Sequence, residues 1–366
     1  MNYLLIAFLS LSLIFTSPAA AKKRDYIEKK GTVTVLSIDG GGVRGIVPTL
    51  ILQDIERRMG IDHISNAFDV MGGTSTGALI ALMLNIKQLD SDEPKYNLGD
   101  VKRFYETLAK KVFTRSYYQY WRTLAGWTGA KYESTEFEKH LLHYMNGALL
   151  SDTYKDIIVP SYNMRTRRMR FFKSSHARKF EQKDFLLRNV ARATSAAPSY
   201  FEAVRFKNTL DTSPGVYIDG GIGANNPTLS TLIYASELYG KKKDFFVLSL
   251  GCGTPYDSLS DNLEDMKVDI SKMGKLDWAS QIVDVLMDGT NDVTHYQVKS
   301  ILGPLNYYRI QLHLPEEVMK MDDGSSENIG KLKEITQLFI ADNSSLLDKI
   351  SKKLNSIIEN NAGREG

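Results

Sequence analysis

Cysteine is all but absent from this 366-residue chain, where Cys252 stands alone. No intramolecular disulfide can form, and a cysteine cage around zinc is ruled out. Net charge is also small: 46 Lys and Arg against 43 Asp and Glu leave +3. That lacks the basic bias of a general nucleic-acid binder. There is no internal repeat, no low-complexity tract, no G-x-x-x-x-G-K-[ST] phosphate loop and no carboxylate cluster that reads as a calcium site. The remaining composition, 43% hydrophobic and 24% charged, excludes a wholly disordered chain, a collagen and a multi-span membrane protein.

Residues 1–21 hold no Asp, Glu, Lys or Arg. Leu4 to Thr16 is nearly all apolar, followed by Ser17-Pro18-Ala19-Ala20-Ala21 and then Lys22-Lys23-Arg24. A short apolar core ending in small residues has the pattern of a secretory signal, cleaved after Ala21. It is shorter than the ~20 residues of a membrane span. No Lys or Arg precedes the core, so the amino terminus alone supplies positive charge there; the alternative is an uncleaved anchor. The expected destination is a secreted, periplasmic or endomembrane compartment. Stability then comes from the core and not from crosslinks.

Residues 22–31 read as a linker. Thr32–Ile38 (TVTVLSI) is β-branched and apolar, closed by Asp39-Gly40-Gly41-Gly42, and predicts a buried strand. Ile46–Met59 has helical spacing and ends at Gly60. A second strand is predicted over Ala67–Met71, broken by Gly72-Gly73, with a helix over Thr76–Ile86. Strand, glycine loop, helix, strand, sharp turn, helix implies a parallel sheet with helices on its faces. Further strands are predicted near 157–162, 169–172, 216–218 and 245–250. Helices are predicted at 100–112, 133–145, 184–194 and 227–239, with an amphipathic stretch at 332–358. The expectation is one α/β domain over 32–254 with a mainly helical extension over 255–366 packed on it.

Gly73-Thr74-Ser75-Thr76-Gly77 has the form G-x-S-x-G between a strand and a helix. A serine at so tight a turn needs neighbours without bulk, and its hydroxyl then stands at the sheet end over a helix start. An ordinary glycine turn with a capping serine is the alternative. Gly40, Gly41 and Gly42 end the first strand, and both loops leave a parallel sheet at the same edge. Consecutive glycines let N–H groups turn toward an oxyanion, with Arg44 steadying the loop or polarising a carbonyl. Gly40, Gly42 and Gly45 also have G-x-G-x-x-G spacing. No acidic residue stands where a ribose would be held, which argues against a nucleotide cradle.

A serine needs a base. Of the six histidines (His63, His140, His143, His176, His295 and His313), only the last two follow late enough for a Ser…Asp…His order, and neither sits at a turn. Asp219, which ends the 216–218 strand before Gly220-Gly221, is the better candidate, since a desolvated carboxylate gains basicity. A plain D-G-G turn is the alternative there.

Five segments, DGGGVRG (39–45), GGTSTGAL (72–79), ATSAAPSYF (193–201), DGGIGANNP (219–227) and LSLGCGT (248–254), resemble the patatin-like phospholipase family in its order. The resemblance implies a three-layer α/β/α fold with a mostly parallel central sheet. It implies a Ser–Asp dyad, Ser75 as nucleophile and Asp219 as base. By the same resemblance the amides of Gly40, Gly41 and Gly42 would form the oxyanion hole, assisted by Arg44, with Gly73 and Gly77 flanking the elbow. The implied activity is lipid acyl hydrolysis of phospholipases A, on phospholipid or glycerolipid, with no metal, no cofactor and no nucleic acid. An acyltransferase, a non-catalytic lipid-binding protein and a triad-type α/β-hydrolase are the competing readings.

Residues 113–132 are aromatic and basic; Trp121 and Trp127 there are candidates for a lid or rim in transient contact with a membrane surface. Packing between two helices is the alternative. Residues 165–179 carry seven basic residues and no acidic one, either as a solvated face or as an attraction for anionic headgroups.

Overall fold

The structure, a computed structural model, describes residues 26–112, 130–207, 214–255 and 275–365. The signal expected at 1–21 and the rim candidates Trp121 and Trp127 lie outside the described residues. Twelve strands and helices lead up to the centre of the chain: β1 (Val33–Ile38), α1 (Ile46–Met59), β2 (Val70–Gly73), α2 (Thr76–Met83), α3 (Leu98–Val112), α4 (Thr135–Met145), β3 (Asp156–Asn163), β4 (Arg168–Lys173), α5 (Ser174–Lys179), α6 (Leu187–Thr194), β5 (Val204–Phe206) and β6 (Gly215–Asp219). Then come α7 (Gly221–Ala224), α8 (Thr228–Tyr239), β7 (Phe245–Leu250), β8 (Thr254–Pro255), α9 (Lys275–Leu302), β9 (Tyr307–Ile310), β10 (His313–Leu314), α10 (Ser326–Asp342) and α11 (Ser344–Glu365).

β1 lies at the centre of the sheet, parallel to β2 on one side and to β7 on the other. Its side chains alternate between two apolar layers, which is why the whole strand is apolar. Leu36 and Ile38, with Phe246, Leu248 and Leu250 of β7, pack toward α1, α2 and α3. Val33 and Val35, with Phe245 and Val247, pack toward Leu232 and Ala235 of α8 and Val298 of α9. Helices thus cover both faces, and the sheet is mostly parallel, as expected from the sequence.

One pairing positions the site. β3 is paired antiparallel to β4 along Ile158–Asn163. Its other edge is therefore shared: β2 runs parallel to Asp156–Ile158, and β6 runs antiparallel to Ser161–Asn163. β2 and β6 consequently point at each other along one edge of β3, and their carboxyl ends face across a short gap.

The second strand lies later than the sequence predicts. Residues 64–67 form a 3₁₀ turn, and Gly72 and Gly73 belong to the ladder, opposite Ser37 and Ile38. Gly72 is not a breaker but a point of close approach, since a Cβ there would lie 1.9 Å from Thr231 Oγ1 of α8.

The chain after 254 is mainly helical, and it also adds an edge strand. β9 is parallel to β7, with Arg309 opposite Ser249. α10 and α11 pack on α1, burying Leu332, Leu347, Ile350 and Leu354 completely. Arg58 of α1 reaches Ser344 and pairs with Asp348 at 2.5 Å. Among the described residues, no helix is long and apolar enough to cross a membrane.

Candidate active site

Ser75 occupies the single-residue link between Thr74, just after β2, and α2, with φ 51° and ψ −119°. It is one of four non-glycine residues with positive φ among those described, a conformation that costs about 1–3 kcal/mol and persists only when its surroundings enforce it. A hydrogen-bond chain and close backbone packing surround it here. The Ser75 amide donates to Thr194 Oγ1 at 3.0 Å, and the Thr194 hydroxyl donates in turn to the Pro160 carbonyl at 2.6 Å. A Cβ on Gly73 would stand 2.3 Å from the Gly77 carbonyl oxygen. One on Gly77 would stand 2.2 Å from that of Ile38. Both glycines of the elbow are therefore steric requirements.

Asp219 ends β6 and is 1% exposed. Its amide donates to the Ala196 carbonyl at 3.0 Å, and its Oδ1 accepts from the Gly221 amide at 2.7 Å. Ser75 and this carboxylate line one pocket, with the Ser75 side chain near enough to favour the ionised carboxylate. Burial pushes the Asp219 carboxyl up to about 7, and the bonds from Gly221 and Ser75 only partly offset it. The structure thus brings together the two residues that the sequence singles out, at the meeting of β2 and β6.

The glycine loop arrives from β1 on the same side. A Cβ on Gly40 would lie 3.4 Å from Ser75 Cβ. The Gly40 amide, however, already donates to the Asn225 carbonyl at 3.1 Å. Among the described residues the Gly41 and Gly42 amides have no acceptor, and both residues line the pocket that holds Ser75 and Asp219. Of the three glycine amides, two are thus without an acceptor among the described residues. Arg44 turns away from this pocket. Its Nε donates to the Gly41 carbonyl at 3.3 Å and its Nη1 to the Gly253 carbonyl at 3.1 Å. These bonds tie it to the loop and to the turn after β7. Gly42 has φ +60°, and Met321 accepts the Val43 amide at 2.9 Å.

None of the six histidines lines this pocket. His295 sits on α9 with its Nδ1 3.0 Å from the Tyr307 hydroxyl. Among the described residues no group of three His, Cys, Asp or Glu side chains is placed to hold a metal ion. Cys252 packs under Gly41, buried, with burial pushing its thiol up to about 12, so it is an inert wall.

From Ser75 the pocket runs between α2, α3 and α4 along Leu79, Tyr105, Val112, Phe137 and Phe201, an almost wholly apolar channel. Met287 of α9 and Met321 also line it. A wider, more polar cleft adjoins it, sharing Tyr200, Asn225 and both methionines, and is lined by Asp288, Asn291, Glu316 and Lys320 among others. The sequence offered no sign of Met287, Met321 or Arg309, the last of which pairs with Asp39 from β9. Thr194 and Asn225 lay inside recognised segments but without an assigned part.

The family model for patatin-like phospholipases matches residues 36–232. The chain belongs to the patatin-like phospholipase family. Members of this family are lipid acyl hydrolases. Patatin-like protein 2 of Oryza sativa subsp. indica is 29% identical over 360 residues, covering 88% of this chain and 87% of its own. Patatin-like protein 2 of Arabidopsis thaliana is 29% identical over 330 residues, covering 81% and 80%. Among solved structures, VipD from Legionella pneumophila matches with a TM-score of 0.40 and 11% identity, over 88% of this chain and 72% of that one. In this patatin-like chain the matched region contains the glycine loop, the elbow and Asp219, and ends within α8. Everything that α9, β9 and Met321 bring to the site comes from beyond it.

Proposed function

We propose that the protein is a lipid acyl hydrolase of phospholipase A type, working through Ser75 and Asp219. The observation that carries this reading is Ser75 and a buried carboxylate in one apolar channel, also lined by Gly41 and Gly42, whose amides have no acceptor among the described residues. Asp219 takes the Ser75 proton as Oγ attacks the ester carbonyl, and the oxyanion forms against the Gly41 and Gly42 amides. Asp219 returns the proton to the leaving alcohol, then activates water to release the fatty acid and free Ser75. The acyl chain occupies the apolar channel, and the alcohol part occupies the polar cleft beside it. Exposed Ile282, Val285, Leu286, Val293 and Tyr296 on α9, the helix that supplies Met287, support transient contact with a lipid surface. On the same reading, residues 1–21 export the chain.

Incubation with defined phospholipids and glycerolipids, followed by mass analysis, should show free fatty acid and the matching deacylated lipid. Ser75→Ala protein should release neither, nor take a fluorophosphonate label. Release of fatty acid by wild type and Ser75→Ala alike would sink the assignment. The pH profile gives a second check. The base works only when ionised, and its carboxyl is pushed up to about 7. Ester kcat/KM should therefore fall about tenfold per pH unit below pH 6 and level off above pH 8. A profile flat from pH 5 to 8 would mean that another group takes the proton.

A further inference from the structure

Residue 309 pairs with Ser249 across the edge of the sheet, and its side chain runs over β7 to the end of β1. There the Arg309 guanidinium donates to both carboxylate oxygens of Asp39, Nη1 to Oδ1 at 2.9 Å and Nη2 to Oδ2 at 2.5 Å. Nη1 also donates to Ser249 Oγ at 2.9 Å. Both side chains are buried, 10% and 2% exposed. In such a place a forked arginine–carboxylate pair fixes direction as well as distance.

Asp39 is the root of the glycine loop. Its amide donates to the Leu250 carbonyl at 2.9 Å, so β7 holds its backbone while Arg309 holds its side chain. The three glycines that follow have the greatest backbone freedom of any residue type. Among the described residues, their other backbone anchors include Gly40 to Asn225, Arg44 to Gly41 and Val43 to Met321. Amides that stabilise an oxyanion must be aimed before the charge develops. The aim of this loop is thus set from its root.

We propose that Arg309 is a positioning residue for ester hydrolysis, its grip on Asp39 setting where the Gly41 and Gly42 amides point. This rests on the reading of those amides as oxyanion donors. Arg309 lines neither the channel at Ser75 nor the polar cleft, and it acts through Asp39.

The test compares an ester with its thionoester, in which C=S replaces C=O, because sulfur accepts hydrogen bonds poorly and well-aimed amides discriminate against it. Full-length wild type, Arg309→Lys, Asp39→Asn and the double variant are assayed on both. Lysine keeps the charge and loses the fork. Arg309→Lys should lower kcat on the ester about 10- to 100-fold with KM changed less than about threefold, and should shrink the oxygen-over-sulfur preference about fivefold or more. The double variant should be no worse than the poorer single one, because both break one link. A preference unchanged in Arg309→Lys, whether or not its melting temperature drops, would overturn the proposal. If Arg309→Lys does not fold, Asp39→Asn, an uncharged isostere, is judged by the same ratio. Wild type with strong ester activity but no oxygen preference would overturn the oxyanion reading and Arg309's role with it. Wild type with no ester hydrolysis at all would instead remove the hydrolase reading beneath both.

Discussion

The Asp219→Asn protein should turn over no ester and yet be harder to melt than wild type above pH 7. Both halves follow from one buried carboxylate. Among the described residues, the Gly221 amide and the Ser75 side chain favour its ionised form, and no cation offsets its burial. Its folded carboxyl is raised from 3.8 to about 7. A raised acid contributes stability that is complete below the unfolded value and is lost as pH rises through the folded one. At pH 8 the ionised wild type has therefore given up stability across about three pH units at ~1.4 kcal/mol each, on the order of 4 kcal/mol. Asparagine keeps an acceptor for Gly221 and never ionises. It also cannot take the Ser75 proton, so kcat should fall at least about 10³- to 10⁴-fold. Ser75→Ala should lose as much activity without the pH-linked gain in stability. Thermal melts at pH 5 and pH 8 beside an ester assay check both halves. Asp219→Asn should melt several degrees higher at pH 8, with the gap closing toward pH 5. An equal gap at both pH values, or turnover within tenfold of wild type, would take Asp219 out of the chemistry.

What could be read in advance was what short-range sterics dictate. Gly73 sits where a Cβ would strike the Gly77 and Ala78 backbone of the same strand–turn–helix unit, so part of the pentapeptide's geometry is local, whereas Gly77 clears the Ile38 carbonyl of β1. Gly60 ends α1 at φ 71°, where the periodic apolar spacing also stops. Long-range pairing was less visible. That β2 and β6 share one edge of β3 depends on registers between segments far apart in the chain, and three-residue β5 gives no periodicity to find. Gly72 read as part of a break because its close neighbour, Thr231, lies on a distant helix. The same reason hid the Gly40 amide's engagement by Asn225, the turn of Arg44 toward Gly253 and the reach of Arg309 to Asp39. An isolated arginine in a short strand looks like any surface cation until its neighbour across the sheet is known.

Gly77→Ala should unfold or severely weaken the protein, although alanine is the better helix former by about 1 kcal/mol. The new Cβ would lie 2.2 Å from the Ile38 carbonyl oxygen and 2.6 Å from that of Asp39. These are backbone atoms with nowhere to go. Ile38 is completely buried and paired on both flanks, with Gly73 on β2 and Leu250 on β7. Relief requires lifting α2 off the sheet or bending the end of β1, and either motion drags Ser75 from Asp219 or Asp39 from Arg309. Overpacking of this kind against fixed backbone should cost about 3 kcal/mol or more, with activity lost even in whatever fraction folds. Gly330→Ala supplies the opposite sign. That glycine lies within α10 with nothing inside 4 Å of its would-be Cβ. There only helix propensity acts, so stability should rise by up to about 1 kcal/mol with activity unchanged. Urea denaturation of the two variants beside wild type separates the cases. A Gly77→Ala protein as stable and active as wild type would mean that α2 does not rest on the end of β1, and the elbow would lose the contact that holds Ser75 in its strained conformation.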